Sequence, residues 1–481
     1  MTTNRTALPA FVGVLACAAT PGAAGATLCV EPTGAGGCQT TIQAAVNLAN
    51  PGDLVRISPG VYYENVSVDQ GKDGLQIEGV VKAATILDGS PYFDKGIAGG
   101  DVTLSIASSN VAVRNLTFRN GLIGVSAGGA EIVLEGLRFK GTDNPVVTQA
   151  PGLQVLSCEF SACWGCVVGQ GIDPVVRDSV MVNSSSGLTF QNLGGGGTER
   201  VRVIGNRMAG VSSPLTVSSA IEPVVRWNEV RHSGGVEISG TNPIVEDNVV
   251  ATGGGLSVHC SGINREAGPG DDIPADCSRS SVARNAVKDT GGGLLVTSAA
   301  RGLVVRHNRV SGGTGFSFDS GDSASPGTGT WVTIEQNQVV NAGFVGLFHD
   351  LFRGYCFGMF GGDAHIIGNT AMGCADAGFY VSGFENHLEA NSAIGTAENG
   401  FTLDKGFLTV GGMVESFGNL LDRNTARLNA AQGIAILDGV SLTNLTGNTA
   451  TRNRTDFCDE GSQTVLAGNT FGTTGPCAVL H

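Results

Sequence analysis

Short apolar runs that alternate with turn residues are the main pattern of this chain. Between Arg114 and Phe471, runs of about four to six residues rich in Val, Ile, Phe and Thr are separated by Gly, Ser and Asn. No amphipathic run long enough for a helical repeat occurs between them. Short β-rich runs bounded by turn residues predict strands, so this part of the chain is predicted to be all-β.

One short phrase recurs in this region: two or three apolar or basic residues, then usually Asn, then a β-forming residue. The Asn copies are Asn115, Asn206, Asn228, Asn248, Asn285, Asn308, Asn337, Asn369, Asn391, Asn424, Asn448 and Asn469. Gly136, Cys158 and Asp178 take the same place in the early copies. Most intervals are about 20 to 24 residues, and a few are longer. This spacing is typical of a solenoid, in which each repeat buries its apolar face against its neighbours.

The residue types favour a parallel β-helix over other solenoids. Leucine-rich repeats share the period and an Asn, but they require Leu at fixed offsets that here carry Val, Arg, Ile or Thr. In a β-helix each repeat forms one coil, and strands of successive coils stack about 4.8 Å apart. Asn suits a turn of each coil because it tolerates left-handed backbone angles, and stacked Asn amides can bond to one another. We therefore assign these Asn residues a structural role.

A solenoid needs caps at its two ends, where apolar coil and strand edges are exposed. Residues 41–50, TIQAAVNLAN, place Ile42, Ala45, Val46 and Ala49 on one helical face, and Pro51 and Gly52 follow. This segment is predicted to be the N-terminal cap. The segment from residue 458 to residue 477 is predicted to close the other end.

The segment TIQAAVNLANPGDLVRISPGVYYENVSV, residues 41–68, resembles the opening of right-handed parallel β-helix proteins of the pectin-lyase-like superfamily. Pectin methylesterases, alginate lyases and epimerases, and periplasmic copper-maturation proteins belong to this group. With the Asn coils, the resemblance covers nearly the whole mature chain and implies a single-stranded, right-handed parallel β-helix with a short N-terminal capping helix. It implies no particular activity, because enzymes and non-enzymes share this opening.

The N-terminus is predicted to be a secretory signal. Arg5 supplies the positive charge, residues 7–19 the apolar stretch, and residues 24–26 a small-residue cleavage site. An alternative is a bacterial lipobox ending at Cys17, which would tether the chain. No other stretch suits a membrane span. We divide the chain into a signal peptide (1–26), an N-terminal cap with the first coils (27–100), and a β-helix with long loops on one face and a C-terminal cap (101–481).

The cysteines indicate an oxidising compartment, so the protein is expected to be secreted, periplasmic or held at the cell surface. Their spacing suggests the pairs Cys29 with Cys38, Cys260 with Cys277, Cys356 with Cys374, and Cys458 with Cys477. Cys158, Cys163 and Cys166 would then supply one further bridge and one free thiol. Metal binding by this trio is the alternative, although no His or fourth Cys lies at zinc spacing.

A second phrase in each coil places candidate chemistry on one side of the solenoid. It reads Gly, apolar, any residue, apolar, polar, and its polar positions are Gln191, Ser218, Ser239, His259, Thr297, Asp319, Asp350, Ser382 and Asp404. These residues are predicted to form one column. The five long repeats lengthen after Gln191, His259, Asp319, Asp350 and Asp404, and insertions in solenoids map to loops on one face, which is often the binding face.

The column and its loops hold the residue types needed for acid–base chemistry on a sugar. We predict catalytic roles for Asp319, His349, Asp350, Arg353 and Asp404, and substrate contacts for His259, Tyr355, His365 and Lys405. Asp319, Asp322 and Asp350 are candidate Ca²⁺ ligands. The alternative is structural, because Asp at the start of a Gly-rich loop often caps backbone amides. The complete catalytic motifs of polygalacturonases, methylesterases and alginate epimerases are absent.

The formal net charge of −14, without a basic run, argues against nucleic acid as a partner. A polyanionic substrate would be repelled unless Ca²⁺ bridged it or Arg353 and Lys405 formed a positive pocket, whereas a neutral glycan meets no such objection. Two hypotheses follow. In the first, the protein, expected to be a monomer, binds an extracellular polysaccharide, and in its stronger form it also processes this ligand as a lyase, epimerase or hydrolase. In the second, it is a non-catalytic surface or periplasmic scaffold or adhesin.

Overall fold

The computed structural model describes residues 25–89, 102–191, 198–260, 277–298, 301–320, 332–343, 354–407, 413–414 and 416–477. Within these residues the chain forms a parallel β-solenoid of about 16 turns, and its one α-helix lies near the N-terminus. The predicted all-β parallel β-helix is therefore confirmed. A typical coil has three strands in chain order, here named the first, second and third strands.

The first strands of successive coils pair in parallel to form an 18-stranded sheet. These strands are Thr27–Val30, Leu54–Ile57, Gln76–Gly79, Ala112–Arg114, Val133–Glu135, Gln154–Leu156, Val175–Arg177, Arg202–Ile204, Val224–Arg226, Ile244–Glu246, Ser281–Ala283, Val304–Arg306, Val332–Glu335, Ala364–Ile367, His387–Glu389, Leu420–Asp422, Asn444–Thr446 and Val465–Ala467.

The second and third strands belong to a 31-stranded parallel sheet, because two long strands, Val180–Gln191 and Arg207–Ile221, contribute to both sets. The other second strands are Gly60–Tyr62, Thr85–Asp88, Thr117–Arg119, Arg138–Lys140, Glu159–Ser161, Glu229–Arg231, Val249–Ala251, Ala286–Lys288, Arg309–Ser311, Gln338–Val340, Thr370–Met372, Ser392–Ile394, Thr425–Arg427, Thr449–Thr451 and Thr470–Phe471. The other third strands are Val66–Val68, Val102–Ile106, Ile123–Ala127, Asn144–Thr148, Gly165–Gly169, Val236–Thr241, Leu256–Cys260, Leu294–Ser298, Phe316–Asp319, Phe357–Phe360, Phe379–Ser382, Phe401–Asp404, Gln432–Ile436 and Thr455–Asp459.

The coils between the first strands Ala112–Arg114 and Val175–Arg177 repeat with a constant length of 21 residues. Arg138 and Glu159 occupy equivalent positions in the second strands of adjacent coils and are separated by 21 residues, as are Arg114 and Glu135 in the first strands. Each strand in this region pairs only with the equivalent strand of the coil before and the coil after. Contacts between coils are therefore made by nearest neighbours along the solenoid.

A ladder of buried Asn side chains runs along the corner between the first and second strands. From Asn206 to Asn448, each ladder Asn donates its backbone N–H and its Nδ2 to the Oδ1 of the next, at 2.8–3.1 Å. Its members are Asn206, Asn228, Asn248, Asn285, Asn308, Asn337, Asn369, Asn391, Asn424, Asn448 and Asn469. The predicted structural role of these eleven residues is confirmed.

Two details of the predicted ladder are wrong. The left-handed residue is not the ladder Asn but the residue before it, such as Trp227 with φ 56° and His307 with φ 54°. In the early coils Asn115, Gly136 and Asp178 are themselves these left-handed residues. The ladder position there follows one residue later and is filled by Leu116, Leu137 and Ser179, while Cys158 is correctly placed. Where Leu occupies the ladder position, the recurring phrase contains no polar residue there, so its alignment with the other coils is easily misread by one residue.

The interior of the solenoid is filled by stacked side chains of equal type. Phe118, Phe139 and Phe160 stack with ring centroids 5.0 and 5.1 Å apart, and Phe357, Phe379 and Phe401 form a second stack at 4.7 and 4.8 Å. All of these rings are almost fully buried. Parallel in-register pairing places identical residues above one another, so each coil extends the same core.

The N-terminal capping helix is shorter than predicted and spans Ile42–Leu48. Thr41 begins it, because its Oγ1 accepts the backbone N–H of Ala44 at 3.2 Å. The Glu64 carboxylate accepts the first two helical N–H groups at 2.8 and 3.0 Å. Ile42, Ala45 and Val46 are buried against the first coils, so the predicted apolar face does cover that end. A 3₁₀ turn, Ala35–Gly37, precedes the helix.

Two small sheets lie near the C-terminal end. Gly406–Phe407 pairs antiparallel with Met413–Val414, and Ser416–Phe417 pairs in parallel with Val440–Ser441. The described part of the chain contains no helix with the length and apolar character that a membrane crossing needs.

The four predicted cysteine pairs lie at disulfide distance. Their Cα atoms are 4.8 Å apart for Cys29 and Cys38, 6.5 Å for Cys260 and Cys277, 5.5 Å for Cys356 and Cys374, and 5.1 Å for Cys458 and Cys477. The prediction for the remaining trio is wrong: Cys158, Cys163 and Cys166 are all free and buried, and they form no fifth bridge.

Candidate functional site

The third strands present one outward face, here called the third-strand face. In the strand Leu256–Cys260, residues alternate between fully buried and partly exposed, with Ser257 and His259 facing outward. In-register pairing aligns the equivalent residues of neighbouring coils into two parallel columns, most of whose side chains are partly or fully exposed, whereas Ser382 and Thr402 are buried. One column contains Ser239, His259, Thr297, Asp319, Phe360, Ser382 and Asp404 in continuous register.

The predicted column is confirmed for His259, Thr297, Asp319, Ser382 and Asp404, and Gln191 pairs with Ser218 at its beginning. A register shift between Val217 and Ala220 separates Ser218 from Ser239. The position next to Asp319 belongs to Phe360, so the expectation that Asp350 follows Asp319 in the column is wrong.

In chain order, each long segment lies either directly after or directly before a third strand. Segments 192–197, 261–276, 321–331 and 408–412 each follow a third strand, as predicted. Segment 344–353, in contrast, precedes the third strand Phe357–Phe360. The predicted residues Asp322, His349, Asp350 and Arg353 lie in these segments, outside the described residues.

A second outward column was missed by sequence reasoning. It contains Thr216, Glu237, Ser257, Leu295, Ser317, Gly358, Tyr380 and Thr402. In the recurring phrase Gly, apolar, any residue, apolar, polar, this column corresponds to the third position. That position lies two residues before the polar one and, because strands alternate with period two, must face the same way. The sequence signal for Glu237 and Tyr380 was therefore present.

One polar cluster surrounds His259. Its Nε2 lies 2.8 Å from the Ser257 Oγ, and its Nδ1 is hydrogen-bonded to the Thr297 Oγ1 of the next coil. Both ring nitrogens are thus held by hydroxyl groups, which fixes the plane of the imidazole. This residue forms one side of a depression of about 540 Å³ that also includes Glu237 and the hydroxyl groups of Ser213 and Thr216.

An aromatic cluster lies further along the same face. The rings of Tyr355 and Tyr380 stack with centroids 4.3 Å apart and planes 11° apart, and Phe360 lies 5.9 Å from Tyr380. The Tyr380 hydroxyl donates to the Asp404 Oδ2 of the next coil at 3.0 Å. Tyr355, Phe360, Tyr380 and Asp404 are all partly exposed. This arrangement places apolar ring surface directly beside a carboxylate.

The other predicted residues occupy different environments. Lys405 follows Asp404 and places its Nζ 3.6 Å from the carboxylate of Asp438. His365 lies in a first strand, opposite His387 at a centroid distance of 5.5 Å, and is therefore not on the third-strand face. Burial, and then the neighbouring His387, lower the pKa of His365 below its ordinary value.

The described carboxylates of the column are too far apart for paired hydrolytic chemistry. Asp319 and Asp404 are three coils apart in register, which corresponds to about 14 Å between their Cα atoms at a strand spacing of about 4.8 Å. Glycosidases that use two carboxyl groups place them about 5 to 10 Å apart. Among the described residues, no group of three or more His, Cys, Asp or Glu side chains is arranged to hold a metal ion. The Ca²⁺ prediction depends on Asp322 and Asp350, which lie outside them.

Comparison with known proteins shows similarity of fold alone. No family model matches the chain, and no curated protein matches it. Solved structures that resemble it include a pectin methylesterase from carrot, 16% identical over 58% of this chain and 88% of that one, with a TM-score of 0.26. An alginate lyase from Paenibacillus sp. strain FPU-7 is 12% identical over 89% and 96% of the two chains, with a TM-score of 0.27. A periplasmic alginate epimerase is 10% identical over 87% and 77%, also with a TM-score of 0.27.

Proposed function

We propose that this protein is an exported β-helix that binds a polysaccharide along its third-strand face. The observation that carries the proposal is the stacked pair of Tyr355 and Tyr380 beside the carboxylate of Asp404. Sugar rings have apolar C–H faces and hydroxyl edges, so they are complementary to partly exposed aromatic rings with polar groups at their margin. A predominantly polar face that continues over many coils suits a long chain ligand rather than a compact one.

The direction of the columns supports an extended ligand. Outward residues recur with the coil rise of about 4.8 Å. A polymer that runs parallel to the solenoid axis would therefore meet a similar set of positions at each coil. His259 and the hydroxyl groups around it would contact one part of such a chain, and Tyr380 would contact another part, four coils away in register.

Export is the second component of the proposal. The N-terminal segment has the features of a secretory signal, and four cysteine pairs lie at disulfide distance. Disulfides persist in oxidising compartments, where extracellular polysaccharides are also found.

Processing of the bound polysaccharide is the finer proposal. The separation of Asp319 and Asp404 argues against hydrolysis by these two carboxylates. Proton transfer by the hydrogen-bonded pair of Tyr380 and Asp404 would suit a lyase or an epimerase acting on a uronate, because both reactions remove the proton from the carbon beside the uronate carboxylate. Asp319, His349, Asp350 and Arg353 remain predicted contributors to such a site.

One observation favours the non-catalytic alternative, a scaffold or adhesin. Both ring nitrogens of His259 and the phenol of Tyr380 already bond to side chains of the protein. Groups held in this way can orient a ligand without taking part in chemistry.

The test is a parallel assay of binding and turnover. The purified protein is mixed with alginate, pectate and neutral glycans, with and without Ca²⁺, and unsaturated products, reducing ends and affinity are measured. Tyr355→Ala and Tyr380→Ala are expected to weaken binding about tenfold, equivalent to about 1.4 kcal/mol. The matched control is Trp227→Ala, which removes an aromatic ring that is 59% exposed at the Asn corner.

The outcomes separate the two hypotheses. Turnover that is lost in Asp404→Asn while binding persists supports an enzyme. Binding without turnover on any substrate supports the scaffold. The proposed function fails if the folded protein binds none of these glycans, or if Trp227→Ala weakens binding as much as the tyrosine variants do.

A further inference from the structure

The charged side chains of the solenoid are separated by face. The third strands contain no Lys or Arg in any described coil, counting the long strands from Ser186 and Ser213 onward. The first and second strands carry the basic residues instead, including Arg114, Arg138, Arg202, Arg226, Arg306 and Arg427. The third-strand face is thus without strand-borne positive charge along its described length.

The same face does carry carboxylates. Glu237, Asp319 and Asp404 are outward residues of its two columns. The nearby cation Lys405 is already within ion-pair distance of Asp438. A ligand on this face therefore meets negative charge with little compensation, in a chain whose formal net charge is −14.

The segments next to the third strands in chain order are also acidic in composition. By sequence, 192–197, 261–276, 321–331, 344–353, 408–412 and residue 415 together contain two arginines against seven Asp and Glu residues. Their contribution to the net charge of the molecule is therefore negative.

The depression beside His259 has the lining expected for an uncharged ligand. Hydroxyl groups of Ser212, Ser213, Thr216 and Ser257 line it, Glu237 is its acidic residue, and no Lys or Arg is among its described lining residues. Part of its wall is bare backbone: a Cβ added at Gly255 would lie 2.3 Å from the carbonyl oxygen of Gly293. Hydroxyl and carboxylate groups bond readily to sugar hydroxyls, whereas a uronate carboxylate would face Glu237.

We infer that the ligand of this face is an uncharged polysaccharide rather than a polyuronate, and that Glu237 is the residue that rejects uronate sugars. This inference rests on the binding part of the proposed function and specifies the ligand class of that site. It favours the non-catalytic alternative over a lyase or an epimerase, because those enzymes remove a proton that the carboxylate of a uronate makes acidic. A neutral sugar gains hydrogen bonds from Glu237, whereas a uronate places like charges together at a cost in affinity. Discrimination of this kind depends on a repulsive element as much as on attractive contacts.

The experiment compares neutral and uronate ligands of equal length. Calorimetric affinities are measured at low ionic strength for neutral hexasaccharides of mixed linkage and for hexagalacturonate and hexamannuronate, in EDTA and again in Ca²⁺. We expect at least tenfold tighter binding of one or more neutral ligands. Raising the ionic strength should narrow this ratio, because salt screens the repulsion of the uronates.

Glu237→Gln isolates the residue. The substitution keeps a hydrogen-bonding side chain and removes one negative charge, so uronate binding should tighten at least threefold relative to neutral binding. Glu135→Gln is the matched control, because it removes the same charge from a first strand, where Glu135 pairs with Arg114. The control should leave the ratio unchanged. Circular dichroism and melting curves establish that both variants fold.

The results distinguish failure of this inference from failure of the proposed function. Equal or tighter uronate binding, in EDTA or in Ca²⁺, overturns the uncharged class while leaving polysaccharide binding intact. Glu237 is not the cause if the wild-type preference for neutral over uronate ligands is unchanged in Glu237→Gln. The same conclusion holds if Glu135→Gln changes this preference as much as Glu237→Gln does. Binding of neither class rejects the proposed function and this inference with it.

Discussion

At the scale of single residues, the ladder Asn residues and the left-handed residues before them differ in how far sequence can reveal them. A ladder position is buried, and its amide must bond to the amides above and below, so its identity recurs and is readable. The left-handed position beside it is partly or fully exposed and holds Trp227, Arg284, His307 or Gly447 in different coils. The geometry of the coil imposes its backbone angle, so the residue type at this position does not reveal its left-handed conformation.

Asn308→Ala tests the energetic weight of the ladder. The Asn308 Oδ1 accepts two hydrogen bonds from Asn285, and its Nδ2 donates to the Val282 carbonyl and to Asn337. Truncation leaves several of these buried groups without partners, so the free energy of unfolding should fall by about 2 kcal/mol or more. Urea denaturation followed by circular dichroism measures this change.

The control is Asn469→Ala at the last rung of the ladder, where the side chain is partly exposed and no further Asn follows. Water can replace part of what is lost there, so the expected loss is smaller. Equal losses for the two variants would contradict a cooperative, buried ladder.

The candidate site also shows what single residues reveal. His259, Asp319 and Asp404 were predictable because a polar residue at a recurrent position stands out against an apolar phrase. Glu237 and Tyr380 were missed because their position varies in type from coil to coil, although its period fixes its direction. Direction was therefore a better guide to this face than residue type.

At the scale of strands, two similar apolar phrases can compete for one place in the sheet. The phrase ending at Asp350 and the strand Phe357–Phe360 both suit a third strand, and only the latter pairs with Phe316–Asp319. The Cys356–Cys374 pair and the stacking of Phe357 on Phe379 connect this strand to the next coil. Such long-range contacts decide the register and are not visible in local periodicity.

The facing histidines of two first strands predict a pH dependence of stability. Burial and the proximity of His387 lower the pKa of His365, so protonation is easier in the unfolded chain than in the folded one. This contribution to stability is complete above the unfolded pKa, about 6.5, and is lost as pH falls from there toward the lower folded pKa. The melting temperature should therefore decrease as the pH is lowered from 7.5 to 5.5.

His365→Asn should reduce this decrease, because the group that resists protonation is gone. The measurement is the difference in melting temperature between the two pH values for each protein. His232→Asn is the control, since His232 is an exposed histidine at another corner. A decrease that is the same in His365→Asn and in the wild type would show that other groups cause it.

At the scale of the whole molecule, the solenoid was the most predictable property. A repeat exposes its period in sequence because every coil must satisfy the same packing, and the capping helix and the four cysteine pairs are local features. The place of the insertions in chain order, after a third strand, was predicted for four of the five long segments, whereas segment 344–353 precedes its third strand.

The cysteine arrangement predicts a defined pattern of thiol reactivity. Cys158, Cys163 and Cys166 are free but buried, and burial raises the pKa of Cys158 to about 12. The folded protein without reductant should therefore react slowly with a thiol reagent. In denaturant three thiols should react, plus Cys17 where the first 26 residues are retained. A single reactive thiol would instead indicate a fifth bridge within the trio, and mass mapping of the labelled peptides identifies which cysteines react.

The constant 21-residue spacing of the coils between Ala112 and Arg177 has an evolutionary consequence. A DNA segment that encodes 21 residues, copied in tandem, would restore the pairing of every strand on both sides of the copy, because each strand bonds only to its nearest equivalents. Recombination between such repeats could lengthen or shorten the protein without a new fold. Descendants of one ancestral gene would then differ in reach along a polymer while keeping the same chemistry at every step.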